Sequence, residues 1–189
     1  MKLTIISATR DIHSGEFISS VNSLPFKEME FINSNPTGHT NNYIDKRIKQ
    51  IPIRHSNFSK EVNDHLDRMQ WYNDSGWYNR RILLPCIREI RDADYVLIAH
   101  EDVSFTMNDI NFLKGFIDDT NIAASCAAIK SINGIDKLGD RFLLIKKDNI
   151  QMIVSALMNC GNISKDTVAA INIYIKQYNK SIFITGLVK

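Results

Sequence analysis

Short runs of apolar and β-branched residues alternate along the chain with longer segments in which apolar residues recur at helical spacing. The short runs predict buried strands, and the amphipathic segments predict helices. The predicted strands cover residues 2–8, 27–33, 51–53, 95–99, 121–129, 141–145 and 181–188. One predicted helix ends at Ser23, and the others cover residues 41–49, 58–69, 77–91, 106–117, 149–158 and 166–178. Because strands and helices alternate with no linker, low-complexity stretch or internal repeat, the pattern predicts one three-layer α/β domain over residues 1–189 with a mostly parallel sheet.

Three local signals refine this pattern. Pro52 cannot donate to a central ladder, so the strand that contains it is predicted at a sheet edge. Pro85 lies inside a predicted helix, where it indicates a kink or a late helix start. Thr106 and Asp109, three residues apart, resemble a capping box at the beginning of a helix.

Composition is ordinary for a globular protein: 189 residues, 44% hydrophobic and 23% charged. The net charge of +2 is too small to indicate a nucleic-acid or membrane partner by itself. The charge is uneven, because residues 46–91 contain ten Lys and Arg but five Asp and Glu. This basic band is suited to facing phosphates, although we favour a solvated helical surface.

The three cysteines, Cys86, Cys126 and Cys160, are widely spaced in apolar surroundings. No CxxC pair is present, which disfavours a zinc site. The odd number of cysteines and the short apolar run at the amino terminus predict a reducing, cytoplasmic setting without a signal peptide. No stretch reaches the roughly 18 apolar residues of a membrane span.

The strand Tyr95–Ala99 runs directly into His100, Glu101 and Asp102. Polar side chains at the carboxyl end of a buried strand lie where open α/β sheets bind ligands. Two carboxylates and an imidazole are able to hold a divalent cation or to place charge against a phosphate. An ordinary polar strand end is the alternative interpretation.

Two further segments carry candidate chemistry. The first strand ends in Ser7, Ala8, Thr9 and Arg10, a favourable position for nucleotide contacts but a weak motif. The segment 77–81 places two aromatic residues beside Asn79 and two arginines, a combination that stacks bases or binds phosphates. A helix start with half-buried aromatics and solvated arginines is the alternative. No GxGxxG, GxxxxGK[ST], GxSxG or HExxH motif is present, so the sequence does not favour dinucleotide, P-loop, α/β-hydrolase or zincin chemistry.

Taken together, these segments resemble the glycosyltransferase family 2 type of the GT-A fold. In that family the first strand runs into a polar segment that contacts the nucleotide, and residues 3–10 match it in position. The second strand usually ends in an Asp that reads the base, and Asn33 stands there in this chain. The resemblance implies donor contacts from Ser7, Thr9, Arg10 and Asn33.

One branch of the family has an aromatic-Tyr-Asn element, then a helix, then a strand that ends in His-x-Asp-Val. The sequence Trp77-Tyr78-Asn79 followed by residues 95–103 is similar to this arrangement. The segment 100–102 then replaces the more familiar Asp-x-Asp signature. The resemblance implies that a metal ion, Mn²⁺ or Mg²⁺, is held by Asp102, and that the donor is bound by Tyr78, Asn79, His100 and Glu101.

The resemblance continues downstream. Residues 142–147 are similar to the strand that follows the acceptor loop, and Lys165-Asp166 is similar to the Glu-Asp element before the last strand. Lys165 replaces the Glu, and the separation of Asp102 and Asp166 is short for the family. The resemblance implies that Asp166 is the catalytic base, whereas its position before a helix fits a capping role equally well.

The expected function is therefore an inverting, metal-dependent glycosyltransferase that takes a nucleotide-sugar donor, expected to be UDP-linked, and a hydroxyl acceptor such as a glycan precursor. A modified DNA base is an alternative acceptor, given the basic band and the aromatic pairs. A second alternative is a GT-A-like module that binds nucleotide sugars without catalysis. A third is a nucleotidyltransferase, which would release pyrophosphate.

Overall fold

The computed structural model describes residues 1–8, 15–35, 37–54, 83–99, 103–127, 129–132, 135–138, 142–159 and 167–186. A seven-stranded sheet organises this part of the chain. Its strands are β1 (Leu3–Ala8), β2 (Met29–Asn35), β3 (Lys49–Arg54), β4 (Tyr95–Ala99), β5 (Asn121–Ala127), β8 (Phe142–Lys146) and β9 (Ser181–Gly186). Strands β6 (Ile129–Ile132) and β7 (Ile135–Leu138) pair in a separate antiparallel hairpin.

The strand order in the large sheet is β3-β2-β1-β4-β8-β5-β9. Strand β8 pairs antiparallel with both β4 and β5, whereas every other pairing in this sheet is parallel. The strands of this sheet other than β8 therefore run in the same direction, and their carboxyl ends meet at one edge of the sheet. This confirms the prediction of an α/β domain with a mostly parallel sheet.

Helices cover both faces of the sheet. The helices are α1 (Gly15–Ser23), α2 (Leu84–Arg88), α3 (Met107–Lys114), α4 (Ile150–Asn159) and α5 (Thr167–Lys176). Helices α1 and α3 pack on the face that carries Ile5 and Phe31. Helices α2, α4 and α5 pack on the face that carries Ile6 and Ile32. Because neighbouring residues of a buried strand point to opposite faces, the continuous apolar runs of the sequence supply both cores.

Most predicted elements are confirmed, with shifts at their ends. Strand β2 begins two residues later than predicted, because residues 26–28 form a 3₁₀ turn after Pro25. Strand β3 lies at the sheet edge, as Pro52 predicted. Pro85 lies in the first turn of α2, where its missing N–H costs no intrahelical hydrogen bond. Thr106 and Asp109 form the predicted capping box of α3. The predicted helix at residues 58–69 lies outside the described residues.

The predicted helix at residues 41–49 is wrong. The chain forms two successive turns there before β3 begins. The Asn41 side-chain oxygen accepts a hydrogen bond from the N–H of Tyr43 at 2.9 Å, and the Asp45 carboxylate accepts one from the N–H of Arg47 at 2.9 Å. Asn and Asp side chains that bind the backbone two residues later compete with helical hydrogen bonds. That competition stabilises turns in place of a helix.

The hairpin of β6 and β7 was missed. The predicted strand 121–129 ran past the end of β5 at Ala127, and no strands were predicted between residues 130 and 140. The sequence did contain a signal, because Asn133-Gly134 separates Ile132 from Ile135. An Asn-Gly pair between two alternating segments is a strong indication of a two-residue hairpin.

Candidate functional site

The carboxyl ends of β1, β2 and β4 lie side by side, because β1 pairs in parallel with both of its neighbours. Strand β1 ends at Ala8 and is followed in the sequence by Thr9 and Arg10. Strand β4 ends at Ala99 and is followed by the segment 100–102. The topology thus brings together the strand ends that lead into two of the predicted site segments. Ligands in open α/β sheets bind at this kind of edge.

Ser7 and Asn33 are the two predicted donor-binding residues that the structure describes. They are register partners on β1 and β2, so their side chains project from the same face of the sheet. Both are buried, with exposures of 1% and 2%. The Ser7 Oγ has no hydrogen-bond partner among the described residues. A buried hydroxyl without a hydrogen-bond partner lowers the stability of the fold. Because Ser7 lies near the end of β1, a ligand bound at this edge would be able to supply that hydrogen-bond partner.

The loop after β2 is organised by Asn35, the last residue of that strand. Its Oδ1 accepts hydrogen bonds from the backbone N–H groups of Thr37 at 3.1 Å and of Gly38 at 2.6 Å. Its Nδ2 donates to the carbonyl of His39 at 2.8 Å. Gly38 has φ +72°, and an added Cβ would lie 2.9 Å from the Cβ of Arg54. The loop is therefore held close to Arg54 at the end of β3.

The segment that follows Asp102 is also held in place. The backbone N–H of Phe105 donates to the Oγ of Ser20 on α1 at 2.9 Å, in a buried contact. The Phe105 ring packs against Phe17 and Phe142, with ring centroids 5.9 Å and 5.2 Å apart. Residues 100–102 thus lie in the sequence between β4 and an anchored segment. This anchor was not predicted, since a Ser within an amphipathic helix carries no sequence signal for a contact 85 residues away.

The other predicted site residues lie outside the described residues, and their roles stay predictions. They are the catalytic candidate Asp166, the metal ligand Asp102, and the donor-binding residues Thr9, Arg10, Tyr78, Asn79, His100 and Glu101. Within the ranges that the structure describes, no group of three or more His, Cys, Asp or Glu side chains is arranged to hold a metal ion.

The described part of the basic band contains three ion pairs. Arg47 contacts Asp45 at 2.7 Å, Lys49 contacts Glu30, and Arg91 contacts Glu89 at 3.3 Å. The hydrogen bond from the Arg47 side chain is the largest cause that lowers the pKa of Asp45 to about 2. These cations lie at the surface, but Arg47 lies in a turn and Lys49 on β3, not on the helical surface that we favoured for this band.

The structure describes two of the three cysteines, Cys86 and Cys126. Cys86 on α2 is buried beneath β2, where desolvation raises the pKa of its thiol to about 12 despite a hydrogen bond with Ser34. Cys126 on β5 is buried too, and desolvation raises its pKa to about 11. Both thiols stay protonated near neutral pH, so neither is suited to act as a nucleophile.

Across the described ranges, the helices lack the combination of length and hydropathy that a membrane span requires.

Comparisons with known proteins find similarity in structure but not in sequence. No family model matches the chain, and no curated protein matches its sequence. The structure of the bifunctional IspDF from Campylobacter jejuni aligns with a TM-score of 0.56 at 11% identity, covering 100% of this chain and 50% of that one. The chain thus spans about half the length of that protein.

Two further structures extend the comparison. The 4-diphosphocytidyl-2C-methyl-D-erythritol synthase from Anaerococcus prevotii aligns with a TM-score of 0.57 at 9% identity, covering 98% of this chain and 88% of that one. Residues 1–349 of TarS from S. aureus, in complex with UDP, align with a TM-score of 0.52 at 12% identity, covering 99% of this chain and 58% of that one. At these identities the likeness establishes the fold. The predicted α/β fold with a mostly parallel sheet is confirmed, and it is similar to the folds of these three structures.

Proposed function

We propose that this protein is a glycosyltransferase that moves a sugar from a UDP-linked donor to a hydroxyl acceptor, with inversion and with a divalent cation. The observation that carries the proposal is the register of β1, β2 and β4. It brings the buried polar pair Ser7 and Asn33 to the carboxyl edge of the sheet, beside the strand that leads into residues 100–102. The fold likeness to a structure that holds UDP supports the nucleotide part of the donor.

The residues of this chain suit the chemistry in the following way. Asn33 offers an amide that both donates and accepts, which matches a nucleobase edge. The carboxylate of Asp102 is a hard oxygen ligand, and such ligands suit Mg²⁺ or Mn²⁺ held together with phosphate oxygens. A cation bound there would neutralise the charge that develops on the diphosphate leaving group. Asp166 is the proposed base for the acceptor hydroxyl.

The experiment that tests this function is a screen of nucleotide sugars with and without Mn²⁺. Ligands that bind the native state raise the apparent melting temperature, so UDP-sugars with Mn²⁺ should raise it more than either component alone. The donor that gives the largest shift is then assayed for release of UDP. Stabilisation without UDP release would indicate a module that binds nucleotide sugars without catalysis. No stabilisation by any nucleotide sugar would contradict the proposal.

A nucleotidyltransferase is the second candidate function. The observation that favours it is the alignment with the synthase from Anaerococcus prevotii, which has a TM-score of 0.57 and covers 88% of that chain. The two reactions differ in their products, because a nucleotidyltransferase releases pyrophosphate and a glycosyltransferase releases a nucleoside diphosphate. Release of pyrophosphate from a nucleoside triphosphate and a sugar phosphate would show that the protein is a nucleotidyltransferase.

A further inference from the structure

A cavity of about 330 Å³ opens at the amino edge of the sheet, opposite the candidate functional site. It is lined by Leu3 and Met29, which are register partners at the first positions of β1 and β2. Leu24, after the end of α1, and Met107, the first residue of α3, also line it. The cavity therefore contains none of the residues proposed to bind the donor.

The lining of this cavity is mostly apolar. Leu3, Leu24 and Met29 are buried core residues, with exposures of 5%, 2% and 6%. Three of the lining residues are methionines, Met1, Met29 and Met107. Methionine side chains are flexible and polarizable, and they adapt to ligands of different shapes. The volume lies at the lower end of the range for small-molecule sites, which are typically apolar with a few polar groups.

Charged residues adjoin the cavity on one side. Lys27, Glu28 and Met29 also line a neighbouring cavity of about 340 Å³, whose other five lining residues are all charged. The Glu28 carboxylate accepts a hydrogen bond from the amino group of Met1 at 2.7 Å. Lys2 pairs with Asp92, Lys49 with Glu30, and Arg47 with Asp45.

Lys27 differs from these neighbours. Of the charged residues around the two cavities, all of which lie in described ranges, it alone makes no ion pair. Lys27 therefore contributes to the rim of the apolar cavity a positive charge that has no ion-pair partner among the described residues.

We propose that this cavity binds a small amphiphilic anion. The apolar body of the ligand lies between Leu3, Leu24 and Met107, and its carboxylate or other anionic head contacts Lys27. An anion is favoured over a neutral ligand because Lys27 is the group without a counter-charge. A small molecule is favoured over a peptide because the volume of the cavity is at the lower limit for ligand sites. The inference goes beyond the proposed function and is independent of it.

The six methionines of the chain provide a direct test. Protein labelled with ¹³C at the methionine methyl groups is titrated with octanoate and followed by NMR. We expect the signals of Met1, Met29 and Met107 to shift, with saturation. Met152 and Met158 lie on α4, on the other face of the sheet, so their signals should stay in place and act as internal controls.

Two variants separate the apolar and the anionic parts of the proposal. Lys27→Gln should weaken octanoate binding roughly fivefold, the scale of an exposed ion pair, and should leave the binding of neutral octanol unchanged. Lys27→Arg, which keeps the charge, should bind octanoate like the wild type. Met107→Trp should fill the cavity and abolish binding of both ligands.

Three results would overturn the proposal: no shift of the three lining methionines at high octanoate, equal shifts of all methionine signals, or unchanged octanoate affinity in Lys27→Gln. Because Lys27 is exposed at the surface, the substitution should not disturb folding, and the spectrum of the variant itself shows whether the fold is intact. None of these results depends on whether the protein transfers sugars.

Discussion

The hydroxyl of Ser20 on α1 accepts a hydrogen bond from the backbone N–H of Phe105 at 2.9 Å, in a buried contact between residues 85 positions apart. Ser20 also donates to the carbonyl of Glu16 at 2.9 Å, so the hydroxyl acts as both a donor and an acceptor. This contact fixes the chain three residues after Asp102. It therefore connects a helix on one face of the sheet with the chain that follows the proposed metal-binding segment.

Ser20→Ala should destabilise the protein by about 1–3 kcal/mol, because it leaves the buried N–H of Phe105 without an acceptor. The free energy of unfolding in urea measures this effect. Ser23→Ala is the matched control, since Ser23 lies in the same helix, is exposed and donates only to the carbonyl of Ser20. Equal stability of the two variants would show that the Ser20 contact contributes little.

Gly38→Ala should destabilise the loop after β2. The substitution forces a side chain into a conformation with φ +72° and brings a Cβ within 2.9 Å of the Arg54 Cβ. Strain of this kind costs about 1–3 kcal/mol, which thermal unfolding would detect. Gly15→Ala serves as the control, because none of the described residues lies within 4 Å of its added Cβ. If the loop positions Asn33, Gly38→Ala should also weaken donor binding, and Gly15→Ala should not.

Asp102→Ala should abolish the Mn²⁺-dependent stabilisation by a nucleoside diphosphate. The proposal assigns the metal-binding carboxylate to this residue, which follows β4 at the carboxyl edge. A thermal-shift titration of UDP with and without Mn²⁺ measures the effect. Asp148→Ala removes an exposed carboxylate near the opposite edge, where Asp148 contacts Lys146 at 3.6 Å, and should behave like the wild type. Unchanged metal-dependent binding in Asp102→Ala would exclude Asp102 as the ligand.

Asp166→Asn distinguishes a catalytic base from a helix cap. A general base contributes roughly 10²-fold or more to the rate, so the variant should keep donor affinity and lose transfer on that scale. Asn caps helices about as well as Asp, so a purely capping role predicts nearly unchanged activity and stability. Transfer measured at saturating donor decides between the two roles. Near-wild-type activity would remove Asp166 from the mechanism.

The buried thiol of Cys86 should make stability dependent on alkaline pH. Desolvation raises its pKa in the folded state from an ordinary value of 9.0 to about 12. Above about pH 9 the unfolded chain releases a proton that the folded protein retains, so the free energy of unfolding falls as pH rises through this range. Urea unfolding at about pH 8 and pH 10 should show a larger loss for the wild type than for Cys86→Ala. An equal loss in both proteins would contradict this assignment.

The sequence was sufficient to predict much of the fold, because the relevant signals are local. The apolar run at Tyr95–Ala99 predicts a buried strand, and Thr106 with Asp109 predicts the beginning of α3. Pro52 predicts an edge strand because it lacks an N–H to donate. In each case the physical cause lies within a few residues of the element. The error at residues 41–49 is local too, since the turns there depend on side-chain hydrogen bonds of Asn41 and Asp45.

Only the tertiary structure decided the order of the strands and the contacts between distant segments. The sequence predicts a strand at β8, but it does not indicate that β8 lies antiparallel between β4 and β5. Nor does it indicate that Ser7 lies opposite Asn33, or that Ser20 binds Phe105. These relationships arise from packing between segments far apart in the chain, where many pairings satisfy the same hydrophobic pattern. Hydrophobic spacing therefore determined most of the strands and helices and which of their sides are buried. The mutual packing of the elements determined which polar residues meet at the carboxyl edge of the sheet.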